Sequence, residues 1–289
     1  MLILILFLYY PAWQSIILSL FRSNLFLGTR KFIGFENFRN LFSGALAPAY
    51  YQSLLQTLIF SVMVIVPGLL ISLVLANLSI SLGKRGKIYQ ILLIWPYALS
   101  PAVAGTIFSF LFNPEVGAVN TLLGAFSNLQ PRWLDNPILA FLLVVTACIW
   151  KNLGYNYVFY LAALQNVPRN VYEAADIDGA GVVRSFFKIT VPLVGPVTYF
   201  LIFTNLSYSF FEAFALIDLL TLGGPMGFLP FDNTGVTTLL IYKIFQDGFG
   251  GSSNMGFASA QSVLLMGIIG LITWFQFKFA DKNVHYGGE

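Results

Sequence analysis

The chain has 289 residues, of which 57% are hydrophobic, 17% aromatic and 9% charged, with a formal net charge of +3 and a mean hydropathy of +0.78. A soluble domain carries about 25% charged residues, so this composition fits lipid as solvent, and the charge is too small and too scattered for a nucleic-acid surface. One cysteine, Cys148, in an apolar run and one histidine, His285, in the polar tail leave no disulfide, no His/Cys metal site and no Ser/His or Cys/His nucleophile pair.

A bilayer core of about 30 Å takes about 20 apolar residues in helix, and six stretches meet that length, at about residues 2–20, 54–78, 88–112, 138–164, 192–217 and 260–280. They are continuous runs rather than alternations, which makes them helices and not barrel strands. The expected fold is an all-α integral membrane bundle of six helices. No Gly/Ser linker, low-complexity tract or internal repeat divides it, so 1–289 reads as one domain.

The first stretch, "MLILILFLYYPAWQSIILSL", has no basic region before it and no small-residue cleavage site after it, and reads as a span rather than a secretory signal. It is short and lacks a cytoplasmic flank, which points to a missing or misassigned N-terminus. In the second helix Pro67 is expected to interrupt the run. In the third, Pro96 and Pro101 bracket "PYALSP". Such breakers survive in membranes as kinks, or where neighbouring helices or a water-lined pathway satisfy the freed backbone groups.

In the fourth helix Lys151 lies 14 residues before Gln165, roughly 21 Å from the inner surface at about 1.5 Å per residue. An ionisable group at that depth costs about 2.5–3.5 kcal/mol on insertion scales and is a functional candidate. Asn152, Tyr155 and Asn156 fall on nearly the same face, and the fifth helix carries Asn205, Tyr208 and Glu212, the last at a comparable depth. Lys151, Tyr155, Asn205, Tyr208 and Glu212 are therefore the candidate substrate pathway. Three arrangements stay open for Lys151: an ion pair with Glu212, contact with an anionic group of a ligand, or snorkelling to the outer interface.

Between these helices the loop 165–191 is polar, acidic and glycine-punctuated: "NVPRNVYEAADIDGAGVVRSFFKITVP". Asn166 as N-cap, Pro168 in the first turn and Gly179 at C′ predict a short helix from Asn166 to Asp178. A second segment, Val182 to Thr190, sets Arg184 and Lys188 at i, i+4 before Pro192 opens the next span. Glu173, Asp176 and Asp178 on a solvated loop have no pocket to shift a carboxyl toward acid/base work.

The lysines and arginines favour both termini on the cytoplasmic side. Inside loops would then hold Lys84, Arg85, Lys87, Arg169, Arg184, Lys188 and Lys282 within roughly 45 residues. Outside loops would hold Arg22, Arg30, Lys31, Arg39, Arg132 and Lys243 within roughly 100, with Arg22 to Arg39 pulling the other way.

"EAADIDGAG" followed by "FFKITVP" resembles the EAA loop of ABC-importer permeases, in which Glu-Ala-Ala is followed by Asp-Gly-Ala and an Ile-x-x-Pro ending. The matching residues are Glu173, Ala174, Ala175, Asp178, Gly179, Ala180, Ile189 and Pro192. Further segments are similar to the carbohydrate-importer branch, and within it to permeases for sn-glycerol-3-phosphate: "PYALSPAVAGTIFSFLFNP", "WKNLGYNYVFYLAALQNVPR", "NLSYSFFEAFALIDLLTLGGP" and "TTLLIYKIFQDGF".

The resemblance implies a type I (MetI-like) permease fold in the bacterial inner membrane, with Glu173, Ala174, Ala175, Asp178, Gly179 and Ala180 in a coupling loop whose short helix docks in a cleft of a cytoplasmic ATPase. It implies as partners a second homologous permease, two ATPase subunits and an extracytoplasmic solute-binding protein. It also implies no cofactor on this chain, ATP-Mg being held by the ATPases, and no enzymatic activity of its own; a Gly-x-x-x-x-Gly-Lys-Ser/Thr loop is absent from the sequence. The implied cargo is sn-glycerol-3-phosphate or a related glycerophosphodiester, whose phosphate would be the ligand group that Lys151 meets, the alternative being a di- or oligosaccharide such as maltose or trehalose.

Two features depart from the family pattern: the first helix lacks a longer charged N-terminal region, and "MGFLPFDN" (Met226 to Asn233) looks like an insertion. The rival class is an ion-gradient-driven secondary transporter, which usually carries intramembrane acids and internal repeats, whereas Glu212 is nearly alone here. A membrane enzyme lacks any catalytic constellation.

Overall fold

The computed structural model describes residues 2–24, 26–82, 86–127, 129–177, 179–228, 231–250 and 253–283. Asp178, Lys84, Arg85 and His285 lie outside the described residues, as do the side chains of Asp176, Arg169 and Lys282.

The described chain is almost wholly helical. It opens with α1, residues 2–19, whose middle turns are a π-helical stretch at Ile5–Tyr9. A short antiparallel hairpin follows, β1 (Phe21–Asn24) with β2 (Thr29–Phe32), pairing Phe21 with Phe32 and Asn24 with Thr29. Then come α2 (Glu36–Ser43), α3 (Ala47–Ser81), α4 (Gly86–Ile94) with a 3₁₀ turn at Trp95–Ala98, α5 (Pro101–Leu111) and α6 (Ala118–Phe126). The second half holds α7 (Pro137–Gln165), α8 (Arg169–Ile177), α9 (Val182–Ser185), α10 (Gly195–Phe211), α11 (Ala213–Leu220), α12 (Leu240–Phe249) and α13 (Met255–Asn283).

Three helices are long and apolar enough to cross a membrane singly, in the stretches Ala47–Ile80, Pro137–Gln165 and Met255–Lys278. Two bent pairs bring the number to five: Gly86–Ala98 with Pro101–Leu111, bent by 103°, and Val182–Leu193 with Gly195–Phe211, bent by 70°. The first apolar helix, Leu2–Leu18, is shorter than a full span. Of the six expected spans, the described residues thus give three unbroken helices and, where each bent pair is one span, two broken ones, while the first helix falls short of a full span.

The break between α4 and α5 has a local cause. Pro96 and Pro101 each lack an amide donor, and Ser100 between them takes an extended conformation, its hydroxyl accepting the Val103 N–H to cap α5. The expected interruption at Pro67 does not occur: α3 runs from Ala47 to Ser81 through Pro67. One missing i→i−4 bond is outweighed there by burial of Val64, Ile65, Leu69 and Leu73 in the packing of α3 along α7. α7 itself starts on Asn136, whose side chain accepts from the N–H groups of Ile138 and Leu139 ahead of Pro137.

The core sits between α3, α7, α5 and α11, where Phe60, Val64, Leu143, Ala147, Cys148, Leu216 and Ile217 are buried together. A second cluster joins α3 and α7 near the loop 165–191 through Leu69, Tyr157, Tyr160 and Leu201. Gly154 lets α4 lie directly on α7, since a Cβ there would stand 2.6 Å from the Leu93 carbonyl oxygen. This close approach delivers the broken turn with Tyr97 to the face of α7 that carries Lys151.

Candidate substrate pathway and coupling loop

The polar stripe of α7 turns into the bundle. Asn205 on α10 ties it down: its Oδ1 accepts from Asn152 Nδ2 at 2.6 Å and Asn156 Nδ2 at 3.2 Å, while its Nδ2 donates to Asn156 Oδ1 and to the Leu201 carbonyl, both at 2.7 Å. Asn152, Asn156 and Asn205 are all buried, and in this apolar setting each amide matched to another spares a desolvation cost of about 1–3 kcal/mol. The network fixes α7 against α10 in one register.

Beside it lies a cavity of about 330 Å³, walled by Tyr97, Asn152, Tyr155, Ser207, Tyr208 and Glu212, with Phe203, Thr204 and Phe211 completing the lining. Of the five residues expected on the pathway, Tyr155, Tyr208 and Glu212 line this space. Asn205 stands behind the wall in the amide network, and Lys151 is flanked by two of the lining rings.

Lys151 is 4% exposed, so it does not snorkel to the outer interface. Nor does it form the ion pair with Glu212: among the described residues the ion pairs are Arg22–Glu36, Arg132–Asp135 and Lys243–Asp247. Its ammonium lies 5.3 Å from the ring centroid of Tyr97 and 5.5 Å from that of Tyr208. Two π-faces take the place expected for the carboxylate, because the break after α4 brings Tyr97 over α7, while Glu212, at the junction of α10 and α11, is exposed. Tyr97 was missed in the sequence; the signal pointing to it was the double-proline segment in which it sits.

The loop between α7 and α10 starts one helical cap later than expected. Asn166 is not the N-cap of the short helix but the C-cap of α7, with its side-chain amide donating to the Ala162 carbonyl at 3.0 Å. The short helix is α8, Arg169–Ile177, in which Glu173 and Ala174 are exposed and Ala175 is buried. Its end matches the expectation for Gly179, which adopts φ 71°, and the Ala180 N–H bonds back to the Ala175 carbonyl at 2.9 Å. That six-to-one bond over a left-handed glycine is a Schellman cap. Tyr172 Oη and Thr190 Oγ1 lie 3.3 Å apart, joining α8 to the segment that leads into α10. The apolar side chains of Ile177, Val182, Val183 and Phe187 are all exposed around this turn.

The sequence profile of the family described as "Binding-protein-dependent transport system inner membrane component" matches residues 40–285. The chain is 42% identical over 286 residues to the sn-glycerol-3-phosphate transport system permease protein UgpA of Pectobacterium atrosepticum, covering 99% of this chain and 92% of that one. It is 40% identical over 286 residues to the protein of the same name from Escherichia coli O157:H7, with the same coverage. Among solved structures, a chain of a bacterial alginate ABC transporter in complex with alginate pentasaccharide-bound periplasmic protein superposes with a TM-score of 0.80 at 21% identity. The match covers 96% of this chain and 90% of that one. The profile match, the near-full-length relatives and the shared fold agree: this chain belongs to the family of binding-protein-dependent transport system inner membrane components, and it is an ABC-importer permease of the sugar-transport type rather than an enzyme.

Proposed function

We propose that this permease carries sn-glycerol-3-phosphate, or a related glycerophosphodiester, into the cell by alternating access. The observation that carries this reading is the 42% identity, over 99% of the chain, to permeases named for that substrate. In this reading the chain is a single transmembrane domain with both termini cytoplasmic. It pairs with a second homologous permease, stands on two ATPase subunits that hold ATP-Mg, and receives cargo from an extracytoplasmic solute-binding protein.

Closure of the ATPases would draw the two coupling helices together. α8 is suited to seat in a groove because Glu173 and Ala174 are exposed on one short helix beside the exposed Ile177, giving an apolar contact with a charge to set register. The Schellman cap at Gly179 and the Tyr172–Thr190 contact tie α8 to the segment leading into α10. Movement of α8 would thereby reach Asn205, Tyr208 and Glu212 as one rigid body.

A second reading, a di- or oligosaccharide, draws on the cavity chemistry. Tyr97, Tyr155 and Tyr208 offer ring faces and Glu212 an acceptor, a combination that suits hydroxyl-rich ligands, while Lys151 is set between two rings. Uptake into proteoliposomes holding the complete transporter and its binding protein, with labelled sn-glycerol-3-phosphate, maltose and trehalose compared side by side, tests the two. The first reading expects accumulation of the phosphate ester alone. Accumulation of a disaccharide in its place would overturn it.

A further inference from the structure

The segment 20–46, between α1 and α3, carries Arg22, Arg30, Lys31 and Arg39 against one carboxylate, Glu36. Four cations less one anion give +3, as large as the formal net charge of the whole chain. In the proposed orientation this charge stands outside, against the positive-inside tendency, and neither the polar cavity nor the coupling loop makes use of it.

The segment is held at the membrane boundary from both ends. It follows the apolar helix Leu2–Leu18 and precedes the spanning stretch Ala47–Ile80. α2 ends at Ser43, four residues before α3 begins at Ala47, so at most about 14 Å of chain separates it from a helix that enters lipid. Asn37 on α2 donates to the Ser19 carbonyl at 2.7 Å and to the Phe21 carbonyl at 2.9 Å, and Asn24 bridges to Asn254 at the start of α13. These bonds hold the hairpin and α2 down against the spans.

The charges form a chain of neighbours. Arg22 stands directly across the hairpin from Lys31, where like charges repel, and Glu36 pairs with Arg22. Arg39 lies three residues beyond Glu36 on α2, beside a carboxylate that Arg22 already engages. Lys31 and Arg39 are exposed, and neither belongs to an ion pair among the described residues. Arg30 sets its guanidinium over the Phe21 ring at 4.1 Å.

Exposed rings are interleaved with these cations. Phe35, Arg39 and Phe42 fall at i, i+4 and i+7 on one stripe of α2, while Asn37 and Leu41 are buried on the opposite side. Phe32 and Phe35 are 64% and 76% exposed, and Tyr51, in the second turn of α3, adds another exposed ring. Water gains nothing from a stripe of phenyl rings, whereas the boundary of a bilayer takes rings below and cations at the phosphates above.

We propose that β2 and α2 form an interfacial anchor for anionic phospholipids. Lys31 and Arg39 meet head-group phosphates, and Phe35 and Phe42 sink among the first acyl carbons. The anchor fixes the depth at which α1, α3 and α13 enter the bilayer.

The test is photo-cross-linking of the complete transporter in nanodiscs of equal phosphatidylglycerol, which is anionic, and phosphatidylcholine, which is net neutral. A photoreactive analogue of each lipid is used in turn, and label within residues 29–43 is read by mass spectrometry. The wild type is expected to favour the phosphatidylglycerol label. Lys31→Gln with Arg39→Gln should lower the ratio of the two labels by about thirty-fold, the weight of two cations near an anionic surface, with the subunits assembled and the solute-binding protein still bound. Lys31→Arg with Arg39→Lys should keep the preference. Equal labelling of the wild type, a preference that survives the double glutamine change, or one lost in the charge-keeping pair would each overturn the proposal. So would an unlabelled stretch whose double glutamine change weakens binding of the solute-binding protein, which would assign the surface to that protein.

Discussion

At the scale of single residues, the chemistry concentrates in Lys151 and Asn205. Burying a lysine costs about 2.5–3.5 kcal/mol on insertion scales. Two flanking tyrosine rings return about 0.5–2 kcal/mol, so Lys151 is held at a net cost to stability. Lys151→Met should then leave assembly and melting unharmed, yet reduce the initial rate of sn-glycerol-3-phosphate uptake by at least about ten-fold, the equivalent of one charge-assisted contact. Unchanged uptake would remove Lys151 from the pathway. Asn205→Leu is the opposite case. It strands the amides of Asn152 and Asn156 at about 1–3 kcal/mol each, and a clear fall in the melting midpoint of the purified complex should follow. A midpoint equal to wild type would mean that water replaces the lost partner. The polar residues themselves were legible because each breaks an apolar run. Their pairing was not, since the choice between Glu212 and two tyrosine rings depended on where the broken turn after α4 places Tyr97.

At the scale of elements, α8 and its glycine cap are the proposed connection between the permease and its ATPases. Gly179→Pro cannot adopt φ 71° and would unmake the cap, and Glu173→Lys reverses the charge exposed on the docking face. Either change is expected to release the ATPase subunits during affinity purification while the permease remains in the membrane; full co-purification with coupled transport would count against α8 as the docking element. On α7, Gly154→Ala drives a methyl to 2.6 Å from the Leu93 carbonyl and should cost about 1–3 kcal/mol, read as a lower melting midpoint. Long apolar runs gave away α3, α7 and α13, because a span must satisfy its backbone within itself. The hairpin, α2, α6 and α12 were illegible for the converse reason: they are short and owe their form to docking on the spans. Asn37 on α2 donates to the carbonyls of Ser19 and Phe21, and buried Lys243 on α12 pairs with Asp247 at 2.9 Å. Pro67 was misread because a proline signals a missing bond and says nothing of the packing that offsets it.

At the scale of the whole molecule, one polar cavity lies beside an amide-locked helix pair, and one exposed loop is tied to the segment leading into the same helix. The family was readable in the loop 165–191 from residue types at fixed spacing. The shape of the polar cavity was not, since it lies where two broken helices meet the unbroken α7. The central claim is that work enters from ATP hydrolysis at α8 and leaves as movement at Tyr208 and Glu212. The most direct measurement is uptake by the complete transporter in proteoliposomes, with ATP supplied to the ATPase side and ionophores present to abolish ion gradients. Uptake that persists with ionophores and vanishes without ATP or without the binding protein is the predicted result; uptake that continues without ATP and collapses with ionophores would contradict it.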